Sequence, residues 1–241
     1  MQINKIITMN VGEIEFIYNQ QKRRVYVHLI QTSEGLLLFD SGFNPAYYYG
    51  GKLPQILNKV IKLHIDPEHA LDRFIHNKGY NLQDIIYIIC SHLHFDHCGG
   101  LKLFANTNAR FLVQQDEFEY IDNIKNSFEY DKNDIISDFM NNFEIICGNR
   151  DLFGNGKILL LRTPGHTIGH QSLIINEKQT RIILAGDVAY TAEQFFSGNG
   201  TGFSYNRINE KESIKLLKSY INSNTKIICG HEDSYENEIY F

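Results

Sequence analysis

Residues 91–100 read Ser91-His92-Leu93-His94-Phe95-Asp96-His97-Cys98-Gly99-Gly100, placing three imidazoles and one carboxylate in the six residues from His92 to His97. The run leading in, Ile85-Ile86-Tyr87-Ile88-Ile89-Cys90, is β-branched and aromatic and predicts a buried strand. Two glycines follow, then a short amphipathic segment from Leu101 to Phe104 that predicts a helix. Four side chains able to ligate metal therefore sit on the loop at a strand end. A turn held by a strand on one side and a helix on the other can aim several ligands at one point. The competing reading is a solvated loop that is histidine-rich by chance. It is disfavoured, because nothing else asks for three histidines beside an aspartate at the mouth of a core strand.

The same local context recurs along the chain. Thr163-Pro164-Gly165-His166-Thr167 follows an apolar run ending at Leu161, and Ala185-Gly186-Asp187 follows Arg181 to Leu184. Cys229-Gly230-His231 follows Lys226 to Ile228. Each is unremarkable alone. Together they let one sheet edge collect His92, His94, Asp96, His97, His166, Asp187 and His231. That set suits two metals: His92, His94 and His166 for one, Asp96, His97 and His231 for the other, with Asp187 able to bridge. Imidazole with carboxylate favours two Zn²⁺ per chain, with Mn, Fe or Co as alternatives. No thiol is placed as a ligand, so a closed cysteine-rich structural site is excluded. Two such ions about 3.5–4 Å apart lower the pKa of a shared water from about 15.7 toward roughly 7.

Composition sets the outer bounds. The chain has 241 residues, 43% of them hydrophobic and 21% charged, as in an ordinary globular protein. A net charge of −5 offers no basic footprint for nucleic acid. No run of about 18 apolar residues predicts a membrane span, and residues 1–8 lack the pattern of a signal peptide, so a cytoplasmic protein is expected. Of the four cysteines, Cys90, Cys147 and Cys229 end apolar runs and read as small core residues. Cys98 adjoins the histidine run and reads as packed in a tight turn.

Elsewhere, residues 3–40 predict strands and turns, with apolar runs at 13–18, 24–31 and 36–39. Asp40, at the end of the last, reads either as a turn former or as a carboxylate orienting a ligand histidine; the residues alone favour the turn. Tyr47, Tyr48 and Tyr49 cannot all be buried, and their loop at 43–49 suggests a homodimer contact as the alternative to a monomer. Asp66-Pro67 predicts a helix start, with Gly79 as its stop. His64, His69 and His76 read as surface residues. Residues 116–142 predict two helices joined near 131–133, with Phe118, Tyr120, Ile121, Ile124, Phe128, Ile135, Ile136, Phe139 and Met140 apolar. They form a cap-like segment over the site or a piece of core. Strands are expected at 143–147, 158–161, 172–175, 181–184 and 226–229, and a helix at 210–220. No linker or repeat divides residues 1–241, so one domain is expected, with two sheets packed face to face and helices outside.

With these residues in view, the chain resembles the metallo-β-lactamase superfamily. The motif H-x-H-x-D-H reads as His92, His94, Asp96 and His97, followed by His166, Asp187 and His231. The resemblance implies an α/β four-layer αβ/βα sandwich of two mixed sheets, with a dinuclear site at the sheet edges and Asp40 supporting a ligand histidine from behind. Within the superfamily the chain is most similar to the quorum-quenching N-acyl-homoserine lactonases. The residues carrying this are His-Leu-His-Phe-Asp-His, the run Thr-Pro-Gly-His-Thr-x-Gly-His-Gln-Ser-Leu at 163–173, and Tyr190 three residues after Asp187. The implied activity is a metal-dependent hydrolase opening a lactone through a metal-bridging hydroxide. Tyr190 binds the substrate carbonyl and Asp96 passes a proton to the leaving oxygen. Phe95 either touches the substrate or plugs the loop from beneath, and His170 is not expected to be a ligand. The chain departs from those lactonases in a short, polar stretch at 13–24, which predicts a more open pocket or a different acyl preference.

Other readings keep the fold but change the substrate to another ester, a thioester, a β-lactam or a phosphodiester; the negative charge argues mildly against the last. A di-iron redox protein would need a flavin domain for which the chain has no length. A metal-binding regulator without catalysis is disfavoured by the intact ligand set with Tyr190.

Overall fold

The structure, a computed structural model, describes residues 1–123, 129–135, 140–232, 235 and 238–241. Its strands are β1 (Ile3–Phe16), β2 (Lys22–Thr32), β3 (Gly35–Phe39), β4 (Ile61–His64), β5 (Ile85–Ile89), β6 (Arg110–Gln114), β7 (Phe143–Ile146), β8 (Arg150–Asp151), β9 (Ile158–Arg162), β10 (Gln171–Glu177), β11 (Thr180–Gly186), β12 (Thr225–Cys229) and β13 (Glu238–Tyr240). The helices are α1 (Pro45–Tyr48), α2 (Leu71–Asn77), α3 (Phe95–Cys98), α4 (Gln115–Asn123), α5 (Lys132–Ile135), α6 (Ala192–Ser197) and α7 (Arg207–Ser219). One sheet has the order β13-β1-β2-β3-β5-β6-β7, with β4 beside β1; the other runs β12-β11-β10-β9-β8. Both are mixed. The pairs β3–β5, β5–β6, β6–β7 and β11–β12 are parallel, whereas β1–β2, β2–β3, β9–β10 and β10–β11 are antiparallel.

Side chains alternate across a strand, and here that alternation builds three apolar layers. Leu37 and Phe39 of β3 meet Leu173, Ile175, Ile182 and Leu184 between the sheets. Leu36 and Leu38 point the other way, onto Leu71 and Ile75 of α2 and the Leu101–Phe104 segment. On the second sheet, Ile174 and Ile183 face outward and are covered by Phe195 of α6 and by Ile214 and Leu217 of α7. Three cores between four layers make the αβ/βα sandwich. Each face is fixed by period-two patterning, so a one-residue slip would expose a whole layer.

The topology also sets the site. The parallel β3–β5 pair ends both strands together, so the amide of Asp40 donates to the Ile89 carbonyl at 2.9 Å and the loops after both strands emerge side by side. Gly99 and Gly100 then let the chain after α3 lie on the backbone of residues 41–44. A Cβ at Gly100 would fall 2.1 Å from the Ser41 carbonyl oxygen, and one at Gly99 2.4 Å from the Asn44 nitrogen.

Several expectations need correction. The helix predicted from Asp66 to Gly79 is broken: Asp66 caps a single 3₁₀ turn at Pro67–His69, and α2 starts afresh because Ala70 is extended, with ψ of 139°. The ligand-bearing loop is partly helical, since Asp96 and His97 lie in α3, followed by a 3₁₀ segment from Gly99 to Phe104. Cys147 is exposed, while Cys90, Cys98 and Cys229 are buried and all four are free. It sits just past β7, where Ile145 also faces outward. The run at 13–18 begins as the end of the much longer β1, which stops at Phe16, and β4, β8, β13, α1 and α6 were not foreseen. In the 116–142 segment, α4 and the one-turn α5 are described; Ile124, Phe128, Ile136 and Phe139 lie outside the described residues. As expected, His64, His69 and His76 are on the surface, and Tyr49 is exposed while Tyr47 and Tyr48 are buried. Among the described residues no helix is long and apolar enough to cross a membrane.

Candidate metal centre

Seven side chains from four strand ends converge at one edge of the sandwich. His92 and His94 follow β5, Asp96 and His97 lie in α3, and His166, Asp187 and His231 follow β9, β11 and β12. All seven are buried. Among the described residues three groups of ligand atoms cluster within 4.8 Å: His92, His94 and His166; His92, His97 and Asp187; and Asp96, His97 and His231.

The partners on the outer side of each ring show what the inner side offers. His166 Nδ1 donates to the Phe203 carbonyl at 3.0 Å and His231 Nδ1 to the Arg24 carbonyl at 2.6 Å. His97 Nδ1 donates to Asp40 Oδ2 at 2.8 Å. Ser91 Oγ gives its proton to Asp40 Oδ2 and so accepts from His92 Nδ1 at 2.9 Å. These tautomers are assigned from the network. They leave the Nε2 lone pairs of His92, His97, His166 and His231 all turned inward. Nδ1 of His94 faces two of them, His92 Nε2 at 2.9 Å and His166 Nε2 at 3.3 Å; one proton cannot serve both. His97 Nε2 and Asp187 Oδ1 are buried with no hydrogen-bond partner. Lone pairs crowded without donors, beside carboxylates, fit a cation and little else.

Electrostatics agree for two of the histidines, whereas burial lowers His97 but the carboxylates of Asp96, Asp187 and Asp40 outweigh it and hold the ring well above the usual histidine range, a charge that a cation would replace. Burial and the neighbouring imidazoles push His92 and His94 well below the usual histidine range, so both imidazoles are neutral and able to ligate. Burial opposes ionisation of Asp187, but His231, His97 and His166 outweigh it and hold its carboxyl well below the ordinary value. His231 Nε2 lies 3.2 Å and His166 Nε2 3.3 Å from Asp187 Oδ2.

A supporting layer surrounds this set, and most of it was not legible. Asp40 was: it accepts from His97 and from the Ser91 amide at 2.7 Å. It is also a turn former, with φ of +64°, a region aspartate tolerates. Ser91 stood in the motif without a role; it links Asp40 to His92. His170, not expected to be a ligand, turns its Nε2 to the Asp187 amide, from which it accepts at 3.0 Å, while Nδ1 faces the Thr163 carbonyl at 3.1 Å. It thereby fixes the backbone that carries Asp187. Glu117 is fully buried and was read only as part of a charged helix; it accepts from the Leu93 and Gly169 amides and from the Tyr130 hydroxyl, each at 3.0 Å. Gly230 is required, because a Cβ there would lie 1.9 Å from Asp187 Oδ1.

The cluster opens into an apolar cleft of about 190 Å³ lined by Ile14, Phe16, Leu57, Val60, Ile61 and Phe95, with Asp96, Asp187 and Tyr190 at its floor. Tyr190 packs its ring against His231 and His166, with centroids 5.1 and 5.8 Å apart. Phe95 both lines the cleft and packs on Phe43 at 6.1 Å. Tyr130 stands edge-on to His94 at 4.6 Å.

Comparison with known proteins agrees with this geometry. The family described as Metallo-beta-lactamase superfamily matches residues 21–231. An N-acyl homoserine lactonase from Bacillus sp is 34% identical over 88% of this chain and 82% of its own length. The N-acyl homoserine lactonase AiiA of Bacillus thuringiensis subsp. kurstaki gives the same figures, 34%, 88% and 82%. A solved N-acyl homoserine lactone hydrolase, with the product N-hexanoyl-L-homoserine bound at its catalytic metal centre, superposes with a TM-score of 0.79 at 28% identity. That match covers 97% of this chain and 95% of the other. The chain therefore belongs to the metallo-beta-lactamase superfamily and is a metal-dependent hydrolase of that fold.

Proposed function

We propose that the chain opens lactone rings, with N-acyl-homoserine lactones as substrates, at a dinuclear zinc site. One observation carries this beyond the family: Tyr190, packed between His166 and His231, stands at the floor of an apolar cleft with the carboxylates of Asp96 and Asp187. A neutral ring ester with an acyl tail matches that combination of a phenol donor, carboxylates beside the ligand cluster and greasy walls. His92, His94 and His166 would hold one ion and Asp96, His97 and His231 the other, with Asp187 between them. Bound there, the ions would acidify a water and polarise the ester carbonyl.

The chain's own residues do the rest. Burial pushes the Tyr190 phenol well above its usual range, so it keeps its proton and donates to the carbonyl oxygen as negative charge grows there. Asp96 takes a proton from the attacking water and returns it to the ring oxygen as that bond breaks. Phe95 and the cleft walls exclude bulk water. The described residues Glu129 and Tyr130 would cap the site, for Glu129 lines the cleft and Tyr130 lies against His94. Four free cysteines suit a reducing cytoplasm.

The test is proton release when zinc-loaded protein meets N-acyl-homoserine lactones of several chain lengths, with chelator-treated protein as control. Fast ring opening that the control loses is expected, and Tyr190→Phe should lower kcat by about 10²–10³-fold. No acid released from any lactone, with two equivalents of metal bound, sinks the reading. Asp40→Asn should weaken zinc retention in a chelator competition by about 10–100-fold, because His97 loses the acceptor that fixes its tautomer. Unchanged retention would show that the ring is held by packing alone.

A further inference from the structure

The cleft holds one arginine, Arg23, at the start of β2, and its position is unusual. The guanidinium carbon lies 3.7 Å from the centroid of the Tyr190 ring and 5.5 Å from that of Phe16, so the group is stacked between two aromatic faces. Its Nε is buried and has no hydrogen-bond partner, while Nη2 donates only to Gln21 at 3.3 Å, at the exposed end. An arginine set over an aromatic ring and lining an apolar cleft, with only one of its terminal donors spent on a described residue, is pre-organised for an oxygen acceptor.

We propose that Arg23 reads the acyl-amide carbonyl of the substrate and so selects lactones that carry an acylamino group next to the ring carbonyl. The inference rests on the lactonase reading. With the ring carbonyl on the Tyr190 hydroxyl, a substituent on the adjacent carbon reaches its own carbonyl a few bonds away, over the Tyr190 ring where the guanidinium lies. The tail beyond it then runs along Ile14, Leu57, Val60 and Ile61. A plain alkyl lactone fills the same walls and leaves the guanidinium unused. Arg23 is a specificity-determining residue, set on a hairpin of only a few residues between β1 and β2.

The experiment is calorimetric binding to zinc-loaded protein of two ring-opened acids. One is N-hexanoyl-L-homoserine; the other is the acid of an α-alkyl-γ-butyrolactone of matching length, which keeps the tail on the same carbon and lacks the amide. Arg23→Met is expected to weaken the first by about 10- to 100-fold and the second by less than about threefold. Arg23→Lys, which keeps the charge but loses the planar fork, should recover part of the loss. Equal weakening of both acids would mean that Arg23 pairs with the carboxylate or merely props Tyr190, and would overturn the proposal. So would no change in either, or no binding of either acid to the parent protein. Arg23-dependent binding by a protein that leaves every lactone closed would remove the lactonase reading while keeping this assignment. Ring opening with Arg23-independent binding would do the reverse.

Discussion

Replacing Asp96 with asparagine is expected to lower kcat for ring opening by about 10²–10⁴-fold with two equivalents of zinc still bound. The substitution keeps size and one carbonyl oxygen. It removes the charge and the ability to hold a proton. Asp96 Oδ2 lies 3.4 Å from His97 Nε2 and 3.7 Å from His231 Nε2, and the carboxyl also lines the cleft, so it touches both the ligand cluster and the place of reaction. Burial alone would raise its pKa, but His97 and its hydrogen bond, with His231, bring the net shift below the ordinary carboxylate value. In the proposed reaction it would therefore begin the cycle as a base. Proton release gives kcat, and elemental analysis gives the metal count. A lower kcat at unchanged KM and full metal content assigns the loss to a group acting in the transition state. A drop to one metal would mean that the part Asp96 plays in holding the second ion outweighs its proton transfer, and an unchanged rate would mean that the proton travels by another route.

What could be read from the chain alone follows from where its information is local. His92, His166, Asp187 and His231 each sit just past an apolar strand, beside a turn, and that context is visible in a window of ten residues. The sandwich was legible for the same reason, because strands such as Ile182–Leu184 show their faces by alternation. The broken helix at Ala70 was not, since Asp66-Pro67 is a sound cap for either one turn or three. Arg23 was hidden differently: in Lys22-Arg23-Arg24 it is one of three cations at a hairpin, and only the fold lays it over Tyr190, 167 residues on. His170 carried the opposite signal. It belongs to a motif of potential ligands, and its two nitrogens are spent on backbone atoms instead.

Glu117 is the sharpest case of a residue whose role exists only in the fold, and its removal should have the largest effect on stability. In sequence it is the third residue of a charged, amphipathic helix, where a glutamate ordinarily meets the helix N-terminus in solvent. In the structure it is fully buried and ties three segments. The Leu93 amide lies between His92 and His94, the Gly169 amide follows His166, and the Tyr130 hydroxyl comes from the segment beside His94. Glu117→Leu fills similar volume but leaves three buried donors unpaired, at about 1–3 kcal/mol each. A loss of about 3–9 kcal/mol is then expected in urea unfolding, against a total of about 5–15 kcal/mol for an ordinary domain. Glu117→Gln retains one good acceptor but turns an NH₂ group toward a donor, so an intermediate loss is expected. Zinc retention should fall with stability in both variants, because the loops carrying His92, His94 and His166 share this one carboxylate as their anchor. A Leu variant within about 1 kcal/mol of the parent, with zinc retention intact, would mean that the loops are held by the metal and by packing, and that the buried glutamate is dispensable.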